Sequence, residues 1–114
     1  MADRLTGDQL HAALAAAAHP LRIRILALLT ERSDYVSNLA REVGIGRPLL
    51  HMHLKKLEDA GLVTGRLELS EDGKALKYYE AAPFSIHLTP DVVAVAATTL
   101  STAGHGDAAP KGNS

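Results

Sequence analysis

Apolar residues recur at three- and four-residue steps from Leu10 to Leu57, alternate from Leu62 to Ala81, and return to helical spacing after Thr89. A period near 3.6 marks one face of a helix and a period of 2 marks a strand. Thr6-Gly7-Asp8-Gln9 reads as a capping box, with Thr6 as N-cap and Gln9 at the third helical position. The helix it opens is expected to reach about Ala18, with Leu10, Leu14 and Ala17 on one side. The alanine run from Ala12 to Ala18, broken only by Leu14, gives high helix propensity and a flat surface suited to close packing. His19-Pro20 is a boundary, because the residue before proline is pushed out of helical geometry. A second helix is expected from Pro20 to about Arg32, with Leu21, Ile25, Leu28 and Leu29 buried and Arg22, Arg24 and Arg32 exposed.

The stretch from Val36 to Val63 predicts helix, tight turn, helix and then a strand. Ser37 is a good N-cap, and Leu39, Ala40 and Val43 form the buried side of the short first helix. Gly44 follows where a helix stops in the left-handed conformation. The next helix starts near Arg47-Pro48, with proline in the first turn, where its missing N–H costs nothing. Leu50, Leu54 and Leu57 make its apolar face, and Gly61 closes it. Such a helix-turn-helix places its second helix in the major groove of DNA. At about 100° per residue, the side opposite those leucines carries Pro48, Met52 and Lys55. Arg47 and His51 lie on one shoulder, His53 and Lys56 on the other. A guanidinium here pairs bidentately with guanine, an imidazole reaches base edges, and an ammonium meets phosphate. Taken alone, a basic helix face is more often simply solvated.

After Gly61, Leu67 and Leu69 alternate with Arg66 and Glu68, as in a half-buried strand. Ser70-Glu71-Asp72-Gly73-Lys74 is a turn, with Gly73 free to take positive φ. A second strand runs from Ala75 to Ala81, so the two form a hairpin. Arg66, Lys74 and Lys77 are its candidates for the DNA backbone or minor groove, while Glu71 and Asp72 at the tip argue the other way. A linker covers Pro83 to Leu88. Thr89-Pro90-Asp91 then opens a last helix with an N-cap, proline at N1 and an acid at the positive end of the dipole. Val92, Val93, Val95, Ala96 and Leu100 leave that helix apolar on several sides, which is excessive for a lone terminal helix. From Ala103 a glycine-rich polar tail is expected to be disordered. The fold class expected is mainly α with a small β-hairpin (α+β), covering residues 1–102 and followed by a tail at 103–114.

Composition narrows the function. The 114 residues suit one domain and carry a formal net charge of −1, so any affinity for DNA must come from local clusters of cations. There is no cysteine, hence no disulfide and no thiolate site. No apolar run is long enough to span a membrane. A soluble cytoplasmic protein is expected. Nothing resembles a nucleophile elbow or a phosphate loop, and Gly44-x-Gly46 lies between helices, so an enzyme is not expected.

The residues Leu39-Ala40, Gly44-Ile45, Leu50 to Leu57 and Ala60-Gly61-Leu62-Val63 resemble the ArsR/SmtB family of winged helix-turn-helix regulators. His53-Leu54-Lys55-x-Leu57-x-x-Ala60-Gly61-Leu62-Val63 is similar to that family's signature, and the likeness runs from about Leu14 to Ala82. It implies a winged helix-turn-helix, a homodimer joined through the first and last helices, and double-stranded DNA as partner. It also implies that the hairpin is the wing and that His53 matches a recurrent histidine, with a role at DNA or in packing. Many members sense metal. The Cys-Val-Cys site of the family is replaced here by Tyr35-Val36-Ser37. The Asp-x-His pair of the last helix is replaced by Asp91 with Val93.

Six histidines in a cysteine-free chain still offer nitrogen and oxygen donors, which suit nickel or zinc and are similar to nickel-linked members of the family. Asp8 and His11, with Asp3 nearby, form one candidate metal pair; His87 and Asp91 form another. The expected function is a sequence-specific transcriptional regulator on a near-palindromic operator, modulated by a divalent metal. The alternative is a winged-helix module that binds a partner protein, such as a corepressor, without sensing metal.

Overall fold

The computed structural model describes residues 5–101. Its elements are α1 (Gly7–Ala17), α2 (Pro20–Glu31), β1 (Asp34–Tyr35), α3 (Val36–Val43), α4 (Arg47–Asp59), β2 (Val63–Leu69), β3 (Ala75–Ala81) and α5 (Pro90–Ala97). Residues 13–84 form one compact unit; residues 5–12 with 85–101 form another. Asp3 and the expected tail from Ala103 lie outside the described residues.

In the larger unit, Ile25, Leu29, Leu39, Leu50, Leu54, Leu57 and Val63 are shut off from solvent. They come from α2, α3, α4 and the start of β2, so three helices close on one another and on the base of the hairpin. The sheet is antiparallel in the order β1-β3-β2. Asp34 pairs with Tyr79 and Tyr35 with Tyr78, while the hairpin runs from Val63 opposite Ala81 to Leu69 opposite Ala75. Strand β1 was not expected, because two residues are too short to show a period. Its Asp34 is buried and accepts hydrogen bonds from the Tyr35 amide (2.9 Å) and the Asn38 side chain (2.7 Å). That local acceptor lets the chain turn straight from strand into helix. α3 therefore starts at Val36 after Tyr35, and Ser37 lies inside the first turn rather than capping it.

Three expectations of burial are corrected. The buried side of α1 is Leu10, Ala13 and Ala16, and Leu14 is 39% exposed. An alanine-rich helix can be approached on the side where its side chains are smallest, and apolar spacing does not reveal that side. Arg22 is buried rather than exposed. Strand β2 is not half-buried: only Val63 is covered, and Leu67 and Leu69 are 69% and 77% exposed. The hairpin leaves the core after its first residues, with Tyr79 buried near its base. Opposite Tyr79, a Cβ at Gly65 would lie 2.8 Å from the tyrosine ring, so only glycine admits that close approach.

In the smaller unit the capping box of α1 forms as expected. The Thr6 amide donates to Gln9 Oε1 (2.9 Å) and the Gln9 amide to Thr6 Oγ1 (3.1 Å). Thr89 caps α5 through the Val92 amide (3.1 Å). The start of α1 meets the end of α5 within the same chain: the Gly7 amide donates to Thr99 Oγ1 (2.8 Å) and the Ser101 amide to Asp8 Oδ1 (2.9 Å). A Cβ at Gly7 would run into the Ala96 carbonyl and Leu100. Val92, Val93, Val95 and Leu100 keep 39–53% of their surface exposed. No single helix among the described residues is long and apolar enough to cross a membrane.

Leu54→Ala is expected to cost about 2–5 kcal/mol, because Leu54 is fully buried and the change leaves a cavity in the core. Gly44→Ala is expected to cost about 1–2 kcal/mol, because Gly44 sits at φ +83. Urea unfolding of both variants, compared at unchanged slope, checks the pair.

Candidate nucleic-acid interface

The turn between α3 and α4 is held by backbone geometry. Gly44 is left-handed, and the amides of Gly44 and Ile45 both donate to the Ala40 carbonyl (2.8 and 3.1 Å). Gly46 then starts α4, its carbonyl accepting from Leu50 N–H (3.0 Å). At the far end the Leu62 amide reaches the Leu57 carbonyl (2.9 Å) and the Gly61 amide reaches that of Glu58 (3.0 Å), with Gly61 at φ +80. This pair of bonds is the Schellman ending that left-handed glycine allows. Both ends of α4 are thus fixed, and its rotation is set by the buried row of Leu50, Leu54 and Leu57.

That rotation leaves Arg47, Pro48, His51, Met52, Lys55 and Lys56 exposed, as the helical spacing predicts. Leu49, which the spacing analysis left aside, is also 44% exposed. Lys55 pairs with Asp59 at 3.3 Å, but both side chains are solvated, so the pair is weak and its ammonium remains available.

His53 is the correction. Expected on the DNA-facing shoulder, it is 3% exposed and faces inward. Its Nδ1 lies 3.1 Å from Arg22 Nη1, while Arg22 Nε donates to the Ala16 carbonyl at 2.6 Å. His19 packs edge-on against the His53 ring, centroids 4.9 Å apart, and caps α2 by accepting from the Leu21 amide. Arginine only donates, so Nδ1 must accept and His53 is the neutral Nε2–H tautomer. Burial pushes the His53 imidazole below its ordinary value of 6.5, and Arg22, His19 and Lys56 push it the same way. The residue is a packing and hydrogen-bonding group that ties α4 to α2 and, through Arg22, to the last turn of α1. The spacing contained the signal: Arg22 stands three and seven residues before Ile25 and Leu29, and His53 stands three after Leu50. Both lie on buried rows, where a polar residue is easily taken for a surface one.

On the wing, Arg66 is held by Glu68 at 2.7 Å and Glu80 at 3.3 Å and lies over the Tyr78 ring. The hydrogen bond to Glu68 raises its already high pKa. Lys77 is half-buried, its ammonium 5.6 Å from the centre of the Tyr79 ring. Lys74 is exposed at the turn. Beside it the Ser70 hydroxyl bonds the Asp72 carboxyl and lowers its pKa, so the tip keeps a negative charge. Of the three wing cations, Lys74 is the one most open to a phosphate.

Asp8 uses one carboxylate oxygen on the Ser101 amide, and His11, His87 and Asp91 are exposed. Among the described residues no three histidine, aspartate or glutamate side chains come together to hold an ion.

A helix-turn-helix with a three-stranded wing and an exposed second helix defines a winged-helix DNA-binding protein. Residues 19–64 match the model of the bacterial regulatory protein arsR family. A helix-turn-helix transcriptional regulator of Methanocaldococcus jannaschii is 35% identical over 78 residues, covering 68% of this chain and 81% of that one. The transcriptional repressor SmtB of Mycobacterium tuberculosis is 36% identical over 81 residues, covering 71% of this chain and 57% of that repressor. The homodimeric winged helix-turn-helix DNA-binding domain of Mb0332 from Mycobacterium bovis superposes with a TM-score of 0.60 at 26% identity, over 87% of this chain and 82% of that one. The chain belongs to the ArsR family of DNA-binding transcriptional regulators. Catalysis is not its role.

The buried imidazole makes stability depend on pH. Above pH 6.5 His53 is neutral in both the folded and the unfolded chain. Below it the unfolded ring takes a proton that the folded ring refuses, so stability falls with pH until the folded ring also titrates. The slope from this one proton is at most about 1.4 kcal/mol per pH unit. Urea titrations between pH 8 and pH 5 are expected to show a flatter profile for His53→Asn, whose amide oxygen stands in the place of Nδ1 as an acceptor for Arg22 and does not titrate.

Proposed function

We propose that two copies of this chain bind a near-palindromic operator, each placing α4 in the major groove with Arg47 and His51 on base edges and Lys56 on phosphate. The outward side of α4 carries the reading: the helix's apolar row is buried, its ends are closed, and the outward side bears guanidinium, imidazole and ammonium groups. Lys74 of the wing reaches the backbone beside it. Homodimer formation draws on the homodimeric structural relative and on the exposed valines of α5, which suit burial against a second copy. Two-fold symmetry then sets the half-sites about one helical turn apart.

The test is selection of duplexes from a random-sequence library with the full chain, followed by fluorescence anisotropy on the enriched duplex at fixed salt. Arg47→Ala is expected to weaken the selected duplex by about 1–3 kcal/mol and to relax the base preference at one position per half-site. Lys74→Ala is expected to weaken all duplexes alike and to reduce the salt slope by about one. Titrations with and without added nickel or zinc report any metal response. A response there needs donors other than a preformed three-residue set among the described residues. If no duplex is enriched under any condition, the alternative of a protein-binding winged helix replaces this reading.

A further inference from the structure

In its first two turns, the centre of the outward side of α4 is not basic. Met52 lies about 200° from Leu50, directly opposite the buried row. It is 45% exposed, Leu49 beside it is 44% exposed, and Pro48 one turn earlier is exposed as well. Arg47 and His51 stand on one shoulder of this patch, and Lys55 and Lys56 follow in the third turn. Beyond it Lys55 is paired with Asp59, and Lys56 and Glu58 are exposed, so the last turns carry both signs of charge. A recognition helix of this composition presents an apolar patch in its first two turns, with Arg47 and His51 beside it and the lysines beyond it.

Pro48, Leu49 and Met52 have no hydrogen-bonding side-chain group apart from a weakly accepting thioether. Pressed against guanine, cytosine or adenine edges, they would leave base donors and acceptors without water or partner, which is unfavourable. One group on the major-groove edge is apolar, the 5-methyl of thymine. An unbranched methionine adapts its shape to such a group. We infer that Met52, with Pro48 and Leu49 around it, selects a thymine in each operator half-site by contact with its 5-methyl group. The inference rests on the DNA-binding reading and adds which base the centre of the helix chooses.

The experiment takes the duplex enriched from the random library and replaces the thymines of its half-sites one at a time by deoxyuridine. Deoxyuridine pairs identically and lacks only the methyl group. At one position in each half-site the replacement is expected to weaken binding about fourfold, the effect of one buried methyl-sized group. Met52→Ala is expected to bind the thymine duplex about as weakly as the wild-type chain binds the uracil duplex, and to bind both duplexes equally. Alanine favours helix and the position is exposed, so the urea midpoint of the variant is expected to be unchanged. A Met52→Ala chain that keeps the full preference for thymine overturns the inference, as does an enriched duplex in which no replacement matters. Failure to enrich any duplex overturns both this inference and the DNA-binding reading, and is a different observation from an enriched duplex without a methyl effect.

Discussion

Leu50, Leu54 and Leu57 lose all their solvent contact along one side of α4, and burial of each contributes about 1.5–3 kcal/mol. A helix fixed by such a row cannot rotate without exposing it. Everything on the opposite side is therefore held at a set angle to the rest of the unit, including the seven exposed residues from Arg47 to Lys56. The glycines at its two ends act in the same direction. They let α4 begin and stop where the packing requires, so that the reading surface is placed by its anchored ends and not only by the core. Loose packing at Leu54 would blur the aim of Arg47 and Met52 even if both side chains were unchanged.

One polar pair sits within that apolar seam. Arg22 and His53 cost desolvation on burial, and both are kept because each satisfies the other: the guanidinium closes an orphan carbonyl at the end of α1 and still reaches the imidazole. Removing one partner would strand the other, which is more costly than replacing both by apolar residues. The pair also has a direction. Because arginine has no lone pair to offer, only the neutral imidazole fits. A buried leucine at position 53 would pack; it would not join α1, α2 and α4 in one hydrogen-bonded chain.

Most of the fold was legible because the strongest signals are local. The capping box at Thr6, the Thr89-Pro90 start of α5, the glycine at the end of α3 and the leucine row of α4 each act within a few residues, so sequence spacing is enough to find them. What was not legible is non-local or lacks contrast. Strand β1 exists because β3 passes beside Asp34 and Tyr35, and no property of two residues announces that neighbour. The buried side of α1 could not be told among alanines. Leu67 and Leu69 alternate like a half-buried strand, but alternation says which residues share a face and not whether anything covers it. At the candidate interface, period assigned the outward residues correctly except for His53, where the chemical habit of treating histidine as a surface group overrode its position on a buried row.

The charge arrangement bears on how such a protein would choose its site. The chain has a net charge of −1, Arg66 is enclosed by two glutamates, and Lys55 has Asp59 beside it. Such pairing lowers the number of cations that displace counterions from phosphate, and non-specific affinity for DNA scales with that number. A regulator built this way gains little from random duplex and more from fit along the groove. Discrimination then rests on the first two turns of α4, where charged and apolar side chains stand side by side. On the proposed reading, a wrong base there would meet either an unanswered guanidinium or a methionine that cannot hydrogen-bond to it. On that reading, weak attraction to DNA in general and selective contact at the helix would be two consequences of one composition: a chain of nearly balanced charge with a small basic and apolar window facing outward.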